Sequence, residues 1–400
     1  MGRKHVYYTV RIVNDVEYVA NFVQCMPFYH SAAFILCFVP CLHSGTTCAI
    51  GHKFSNRTFW KEVRASKATI IQYVGETCRY LLAAPPLLDP QTGKNLDADN
   101  CVQIALGNGL RPDVWGRFKE RFGIETICEF YAATEGPSSV WNVSSNSFST
   151  GAVGRSGNLV HALTKKKLAV VALDYDTEIP KRDPAKYNFC IRVPPNTPGE
   201  LLYRLDPNDI SFNFQGYFNN ERASASKIMR DVFVRGDAWF RTGDVMRIDS
   251  ENRMYFCDRI GDTFRWRSEN VATSEVSECL GRHPAVHEAN VYGVEIPHHD
   301  GRAGCAAISL SQEPSKQLMQ SLATHVNAGL PKYAVPIFLR VTSEMVTTGN
   351  NKQQKGKLRS EGVDPTKTGD KDRMYWLQGG EYVEFGRREW ERLSGGGVKL

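Results

Sequence analysis

Apolar residues recur along this chain at two alternating periods. Ala68 to Gly75 is rich in β-branched residues and reads as a strand. Glu76 to Ala84 follows as a helix, stopped by Pro85-Pro86. Val102 to Leu106 is another strand, running into Gly107-Asn-Gly-Leu-Arg-Pro112. A helix over Asp113 to Phe122 and a strand over Ile124 to Phe130 come next. Upstream, Phe22 to Val39 is largely apolar, and Pro27 fits the first turn of a buried helix. Phe54 to Ser66 carries the helical spacing of Phe59, Trp60 and Val63. Met1 to Glu17 is charged, with a strand-like patch at Val6 to Val10. The rhythm of strand and helix predicts a layered α/β large domain around a parallel sheet. Ligands of such sheets sit at the carboxyl ends of strands, where Gly107-Asn-Gly and Tyr131-Ala-Ala-Thr-Glu135 fall.

The second half changes character. Ser138 to Thr150 reads as a polar loop, and the turns at 180–184 and 194–199 predict a β-rich subdomain between 150 and 250. Lys165-Lys166-Lys167 reads as a solvated strand start. Strands at Asp244 to Ile248 and Met254 to Cys257 are joined by Asp249-Ser-Glu-Asn252. The second runs into Asp258-Arg259-Ile-Gly261-Asp262, a charged turn bearing a glycine, and such a turn after a strand is a candidate site or hinge. Beyond it comes a small α+β C-terminal domain. Its helices are expected at Thr273 to Leu280 and Glu313 to Ala328, and its strands at His287 to Val294, Gly304 to Leu310 and Ile337 to Val341. The expected division is therefore 1–260 and 261–400, with a hinge at Gly261 and Asp262. Gly395-Gly-Gly reads as a flexible tail.

Composition narrows the classes. The 400 residues are 42% hydrophobic and 11% aromatic, enough for a proper globular core. Net charge is 49 − 43 = +6, and the basic residues are spread along the chain, so nucleic acid is not indicated. Peripheral association with an anionic membrane surface is compatible with that sign. The 11 cysteines include no Cys-x-x-Cys pair, and the nearest cluster, Cys37, Cys41 and Cys48, lies around an apolar run. Buried free thiols in a reducing, intracellular compartment are the expected reading. The longest apolar run, Ala32 to Leu42, is interrupted by Pro40 and falls short of the roughly 18 residues of a spanning helix.

One stretch adds specificity. Arg241-Thr-Gly-Asp244, Asp258-Arg259, and the run from Gly261-Asp-Thr-Phe-Arg-Trp-Arg-Ser-Glu-Asn-Val to Val276 closely resemble the adenylate-forming (acyl-CoA synthetase) superfamily, in its fatty acid transport protein and very long-chain acyl-CoA synthetase branch. The resemblance runs from about Val23 onward. It implies ATP, Mg²⁺ and coenzyme A, with a long or very long-chain fatty acid as substrate. A carboxylate attacks the α-phosphate of ATP, and the coenzyme A thiol then displaces AMP. Carried over residue by residue, Gly107 and Gly109 match the adenine-binding turn. Tyr131 would stack on the base, Thr134 would bind a phosphate oxygen, and Glu135 would hold Mg²⁺. Asp244 matches the acid that accepts both ribose hydroxyls, and Arg259 the arginine near ribose and phosphate. His30, Tyr73 and Gly75 fall at the acyl pocket, although His30 read without the family is a core histidine. Lys352 follows Thr347-Thr-Gly-Asn-Asn and matches the adenylation lysine, with Lys355 and Lys357 as neighbouring alternatives.

The pattern also breaks. His43-Ser-Gly-Thr-Thr-Cys48 imitates the family's phosphate-binding loop, but Cys48 replaces its next glycine and no Pro-Lys follows. That loop should precede the His30 motif, so the chain is expected to be shortened at its amino end. An active ligase and a non-catalytic fatty acid binding or trafficking protein both remain open. Val398-Lys-Leu400 weakly resembles a peroxisomal address, which with the family leaves a peroxisome or an endoplasmic reticulum or lipid membrane surface as expected locations.

Overall fold

The computed structural model describes residues 21–24, 28, 30–51, 54–133, 135–175, 177–267, 269–343, 345, 355–368, 372–398 and 400. The strand-like patch at Val6 to Val10, Pro27, Thr134 and Lys352 lie outside them. The chain divides into two compact units. One is built on Met1–Thr134 and Ser138–Ser156, with Gly349–Asn351. The other is built on Gly157–Thr348 and Lys352–Leu400, with Glu135–Pro137.

In the first unit, the strands β1 (Asn21–Gln24), β2 (Thr47–Ile50), β3 (Ile70–Val74), β4 (Ile104–Asn108), β5 (Thr126–Ala132) and β6 (Ser139–Ser144) form one sheet in the order β2-β1-β3-β4-β5-β6. Pairing is parallel throughout except for the antiparallel β5–β6 edge. Helices α1 (Phe59–Ala65), α2 (Gly75–Ala83) and α3 (Pro112–Phe122) supply the cover. The local chemistry of α3 shows why this stretch is helical. Pro112 opens it, Asp113 sits in its first turn, Lys119 and Arg121 in its last, and Gly123 at φ +67° ends it. Val114, Trp115, Phe118 and Phe122 form its buried face, and Trp60 of α1 stacks on Phe122 at 4.4 Å between centroids.

The expected loop at Ser138 to Thr150 is corrected: its first half is the strand β6. Its buried Asn142 donates to the carbonyls of Ser149 and Ala152, both at 2.7 Å, so a polar residue is satisfied inside. Asn21–Gln24 is a parallel strand, and Ser31 to Ser44 is helical with a π-helical turn at Phe34–Phe38; the expected buried helix is corrected, because Ala33, Cys37 and Cys41 are buried but Phe34, Ile35, Val39 and Leu42 are exposed. Cys37, Cys41 and Cys48 are buried free thiols, with 3.8 Å between the sulfurs of Cys37 and Cys48.

The second unit opens with helix α4 (Asn158–Thr164), then the antiparallel strands β7 (Leu168–Val171), β8 (Gly199–Leu205), β9 (Ile228–Arg230), β10 (Ala238–Ile248) and β11 (Arg253–Arg259). Their order is β11-β10-β8-β7, with β9 also on β10. After the short hairpin β12 (Phe264–Trp266) and β13 (Glu269–Val271) comes helix α5 (Thr273–Gly281). The second sheet has the order β14-β15-β16-β17-β18. These strands are β14 (Val286–Glu295), β15 (Arg302–Leu310), β16 (Phe338–Val341), β17 (Arg373–Gln378) and β18 (Glu381–Glu384). Helix α6 (Lys316–Gly329) packs on it, starting later than expected because the Ser315 hydroxyl accepts from the Leu318 N–H at 3.2 Å and caps it. Phe264 lies over Gly293 and Gly304, where a Cβ would come within 2.5 and 3.1 Å of its side chain. Helices α7 (Gly356–Glu361) and α8 (Arg387–Ser394) complete the unit. The expected flexible tail is also corrected. Val398 and Leu400 pack against the core of this unit, and the Leu400 N–H donates to His299 Nε2 at 3.2 Å. No helix among the described residues is long and apolar enough to cross a membrane.

Candidate nucleotide and acyl site

In the first unit the two strand-end turns after β3 and β4 meet backbone to backbone. A Cβ on Gly75 would lie 1.8 Å from the Gly109 carbonyl oxygen, and one on Gly107 would lie 2.2 Å from the Tyr73 carbonyl oxygen. Gly109 adopts φ +76°, a conformation that a side chain would strain. Gly75 and Gly107 are thus required by close approach and Gly109 by its backbone conformation, whatever binds above them.

Under these turns sits a residue that the sequence reading passed over. Glu129, fully buried on β5, accepts from the Tyr73 hydroxyl and from the Leu110 N–H at 3.1 Å. It ties the end of β3 to the Gly109 turn. Burial pushes its carboxyl up to about 8, against the opposing pull of the Tyr73, Leu110 and Gly109 hydrogen bonds. Burial and the Glu129 carboxylate likewise hold the Tyr73 hydroxyl well above its usual range. Tyr73 is only 1% exposed, so the structure places it as a support of the turn. Tyr131, half-buried, follows Glu129 two positions later on the same face of β5. His30 caps the helical run that begins at Ser31, its Nδ1 accepting from the Ala32 N–H at 3.2 Å. An ionic chain (Arg79 to Asp113 at 3.0 Å, Arg111 to Glu76 at 3.5 Å) ties α2 to the start of α3.

In the second unit, Asp244 on β10 and Arg259 on β11 are direct register partners, 3.8 Å apart as an ion pair. Arg259 is mostly exposed while Asp244 is largely covered. Gly243, at φ +77°, turns the chain just before Asp244. Arg241 holds the buried Glu200 with contacts of 2.7 to 3.1 Å, which fixes β10 against β8. Glu135, also in this unit, accepts from the Tyr217 hydroxyl at 2.8 Å, and burial and that carboxylate push the tyrosine up to about 12.

The Gly261 turn, at φ +88°, leads into a second charged cluster. The Asp258 carboxylate accepts from the Thr273 N–H at 2.5 Å at the start of α5. Asp262 pairs with Lys355 at 3.0 Å and Arg359 at 2.6 Å, and Lys355 also donates to the Thr273 hydroxyl at 2.6 Å. Burial pulls the Lys355 ammonium below its usual range despite the two carboxylates. Burial pushes Asp262 the other way, but the two cations more than offset it and hold it low. Lys357 is exposed and pairs with Glu361 at 3.6 Å.

A parallel α/β lobe with glycine-lined strand ends, followed by an antiparallel sheet and a charged glycine turn, defines the class of adenylate-forming enzymes. Residues 4–218 match the AMP-binding enzyme family and residues 275–352 its C-terminal domain. The very long-chain fatty acid transport protein of Cochliobolus heterostrophus is 43% identical over 94% of this chain and 57% of its own length. Isopenicillin N epimerase component 1 of Hapsidospora chrysogena is 41% identical over 93% and 61%. The crystal structure of the anthranilate CoA ligase AuaEII in complex with anthranoyl-AMP superposes with a TM-score of 0.66 at 19% identity, over 85% of this chain and 58% of that one. The chain belongs to the AMP-binding enzyme family. It spans about three fifths of the length of these curated relatives.

Proposed function

We propose that this chain carries the adenylate- and acyl-handling part of an ATP-dependent synthetase of long or very long-chain fatty acyl-CoA. The observation that carries the reading is the Asp244–Arg259 pair, an acid and a base in cross-strand register just ahead of the Gly261 turn. In this reading the fatty carboxylate oxygen attacks the α-phosphorus of ATP and pyrophosphate leaves. The coenzyme A sulfur then attacks the acyl carbonyl carbon and AMP leaves.

Gly107 and Gly109 offer bare backbone to the adenine, and Tyr131 a ring to stack on it. Thr134 binds a phosphate oxygen. Asp244 accepts from the ribose hydroxyls, and Arg259 turns its exposed guanidinium from Asp244 toward the anionic phosphate. Lys352 supplies charge to the adenylation transition state. His30 and Gly75 border the acyl chain, and Gly261 and Asp262 form the pivot between half-reactions. Glu135, whose carboxylate is already oriented by Tyr217, would offer a hard cation an oxygen ligand beside the phosphates. When bound, Mg²⁺ would neutralise charge between the phosphates. A lipid membrane surface is the working location.

The test is pyrophosphate release by the purified chain with ATP, Mg²⁺ and fatty acids of increasing length. Release that needs both ATP and fatty acid is expected. Asp244→Ala should lower it about a hundredfold or more, the scale of losing charge-assisted bonds to a bound ligand. Its thermal stability should hold, because an ion pair with an exposed partner contributes at most about 1 kcal/mol. Fatty acid binding with no pyrophosphate release would instead establish the non-catalytic carrier, and normal turnover in Asp244→Ala would remove the nucleotide assignment.

A further inference from the structure

Helix α4 has no buried residue, although it carries an apolar stripe. Leu159, Val160 and Leu163 are 75%, 52% and 70% exposed. At helical spacing Leu159 and Leu163 lie about 40° apart and Val160 about 60° further round, so the three side chains share one apolar face roughly 100° wide. A seven-residue helix is marginal in water on its own, and packing of an apolar face is what usually holds one. Here that packing is missing among the described residues. The helix is instead tied to the fold at its first residue, closed internally at its last turn, and followed closely by a strand. Asn158 Oδ1 accepts from Asn252 Nδ2 at 2.8 Å, the Thr164 hydroxyl donates to the Val160 carbonyl at 2.8 Å, and β7 begins at Leu168.

Immediately after the stripe come Lys165, Lys166 and Lys167, all exposed. From Gly157 to Leu168 there is no acidic residue. Apolar side chains beside a cationic cluster are the chemistry of a helix lying in a lipid headgroup region, with aliphatic groups among the acyl chain ends and ammonium groups at the phosphates.

We propose that α4 and Lys165–Lys167 form a docking surface for an anionic lipid bilayer. The charge pattern selects this occupant over others. A second copy packing the same stripe would gather six lysines at one small interface, with no acidic residue between Gly157 and Leu168 of either copy to offset them. A protein partner is disfavoured because lysine is depleted from interface cores, and the patch offers no aromatic or arginine anchor. Insertion is shallow: the stripe is two helical turns long, suited to a depth of roughly 5–10 Å.

The experiment is vesicle co-sedimentation of the purified full chain without ATP or fatty acid, so that its outcome is independent of the ligase reading. Vesicles of phosphatidylcholine alone are compared with vesicles of phosphatidylcholine and phosphatidylserine. Binding to the serine-containing vesicles is expected, weakening with added salt. Lys165→Glu/Lys166→Glu/Lys167→Glu should lower the partition coefficient about a hundredfold, and Leu159→Ser/Leu163→Ser at least tenfold. All five positions are exposed, so the melting temperature should not move; a thermal melt of each variant checks this. Binding that both variants retain in full overturns the proposal. So does absence of binding to either vesicle, or a lipid-free dimer that the leucine changes dissolve.

Discussion

The protonation state of Glu129 can be tested directly. Its carboxyl is raised from 4.5 to about 8, with burial the largest cause. Between these values the folded chain keeps a proton that the unfolded chain has lost. Stability contributed around this group is therefore intact below pH 4.5, declines as pH rises toward 8, and is flat above. At 1.36 kcal/mol per pH unit the full span of 3.5 amounts to about 5 kcal/mol, and the part between pH 5.5 and 8 to about 3 kcal/mol. Glu129→Gln is the informative change. The amide oxygen keeps an acceptor for the Leu110 N–H, the amide nitrogen turns the Tyr73 contact round by donating to the hydroxyl oxygen, and the side chain has no proton to lose. Because the chain has two compact units, the readout should be local: amide exchange of peptides covering β4, the Gly109 turn and β5, at several pH values, corrected for intrinsic rates. The native chain should lose opening free energy across this window by about 3 kcal/mol more than the variant. Parallel slopes in the two proteins would refute the assignment of a neutral buried acid.

Two further outcomes follow from backbone and charge packing. Gly75→Ala places a methyl 1.8 Å from the Gly109 carbonyl oxygen, and neither backbone can yield without moving a strand end. Thermal unfolding of the first unit should show a loss of roughly 3 kcal/mol or more, whereas Gly93→Ala, with nothing within 4 Å, should cost only the roughly 1 kcal/mol of its positive φ. Lys355→Met leaves Asp258 and Asp262 with one fewer cation. Denaturant unfolding of the second unit should lose about 2–4 kcal/mol, and amide exchange over 258–275 should speed up; no change in either would mean that the cluster is idle.

The parallel sheet was legible because its strands are short β-branched runs set between helices that bury one face. β4 and α3 read correctly from Val102 to Phe122 for that reason. β6 was not legible. Ser139, Asn142 and Ser144 are turn-forming types, and only the pairing with β5 and the Asn142 bonds to Ser149 and Ala152 make a strand of them. The tail failed for a related reason: glycines at 395–397 free the backbone locally but say nothing about Val398 and Leu400, which have a core to join. β17 and β18, which close the second sheet, and the helix α8 after them were passed over.

Glu129 shows how a site residue hides. An acid between Cys128 and Phe130 reads as one polar position on a half-solvated strand. The available signal was its phase: Ile127, Glu129 and Tyr131 share a face, and Ile127 is completely buried. A carboxylate in phase with a core isoleucine on a central strand needs donors, and the Tyr73 hydroxyl and Leu110 N–H supply them. The same reasoning bears on the three lysines at 352, 355 and 357. Spacing favoured Lys352, which follows Thr348-Gly-Asn-Asn, and left Lys355 and Lys357 as alternatives. Lys355 is committed to Asp262 and Thr273, and Lys357 to Glu361. A cation that already spends its charge on a half-buried acid has little left for a phosphate. Assigning adenylation to Lys355 would therefore require the Asp262 contact to break first, and Lys355→Met would then slow pyrophosphate release rather than only loosen the cluster.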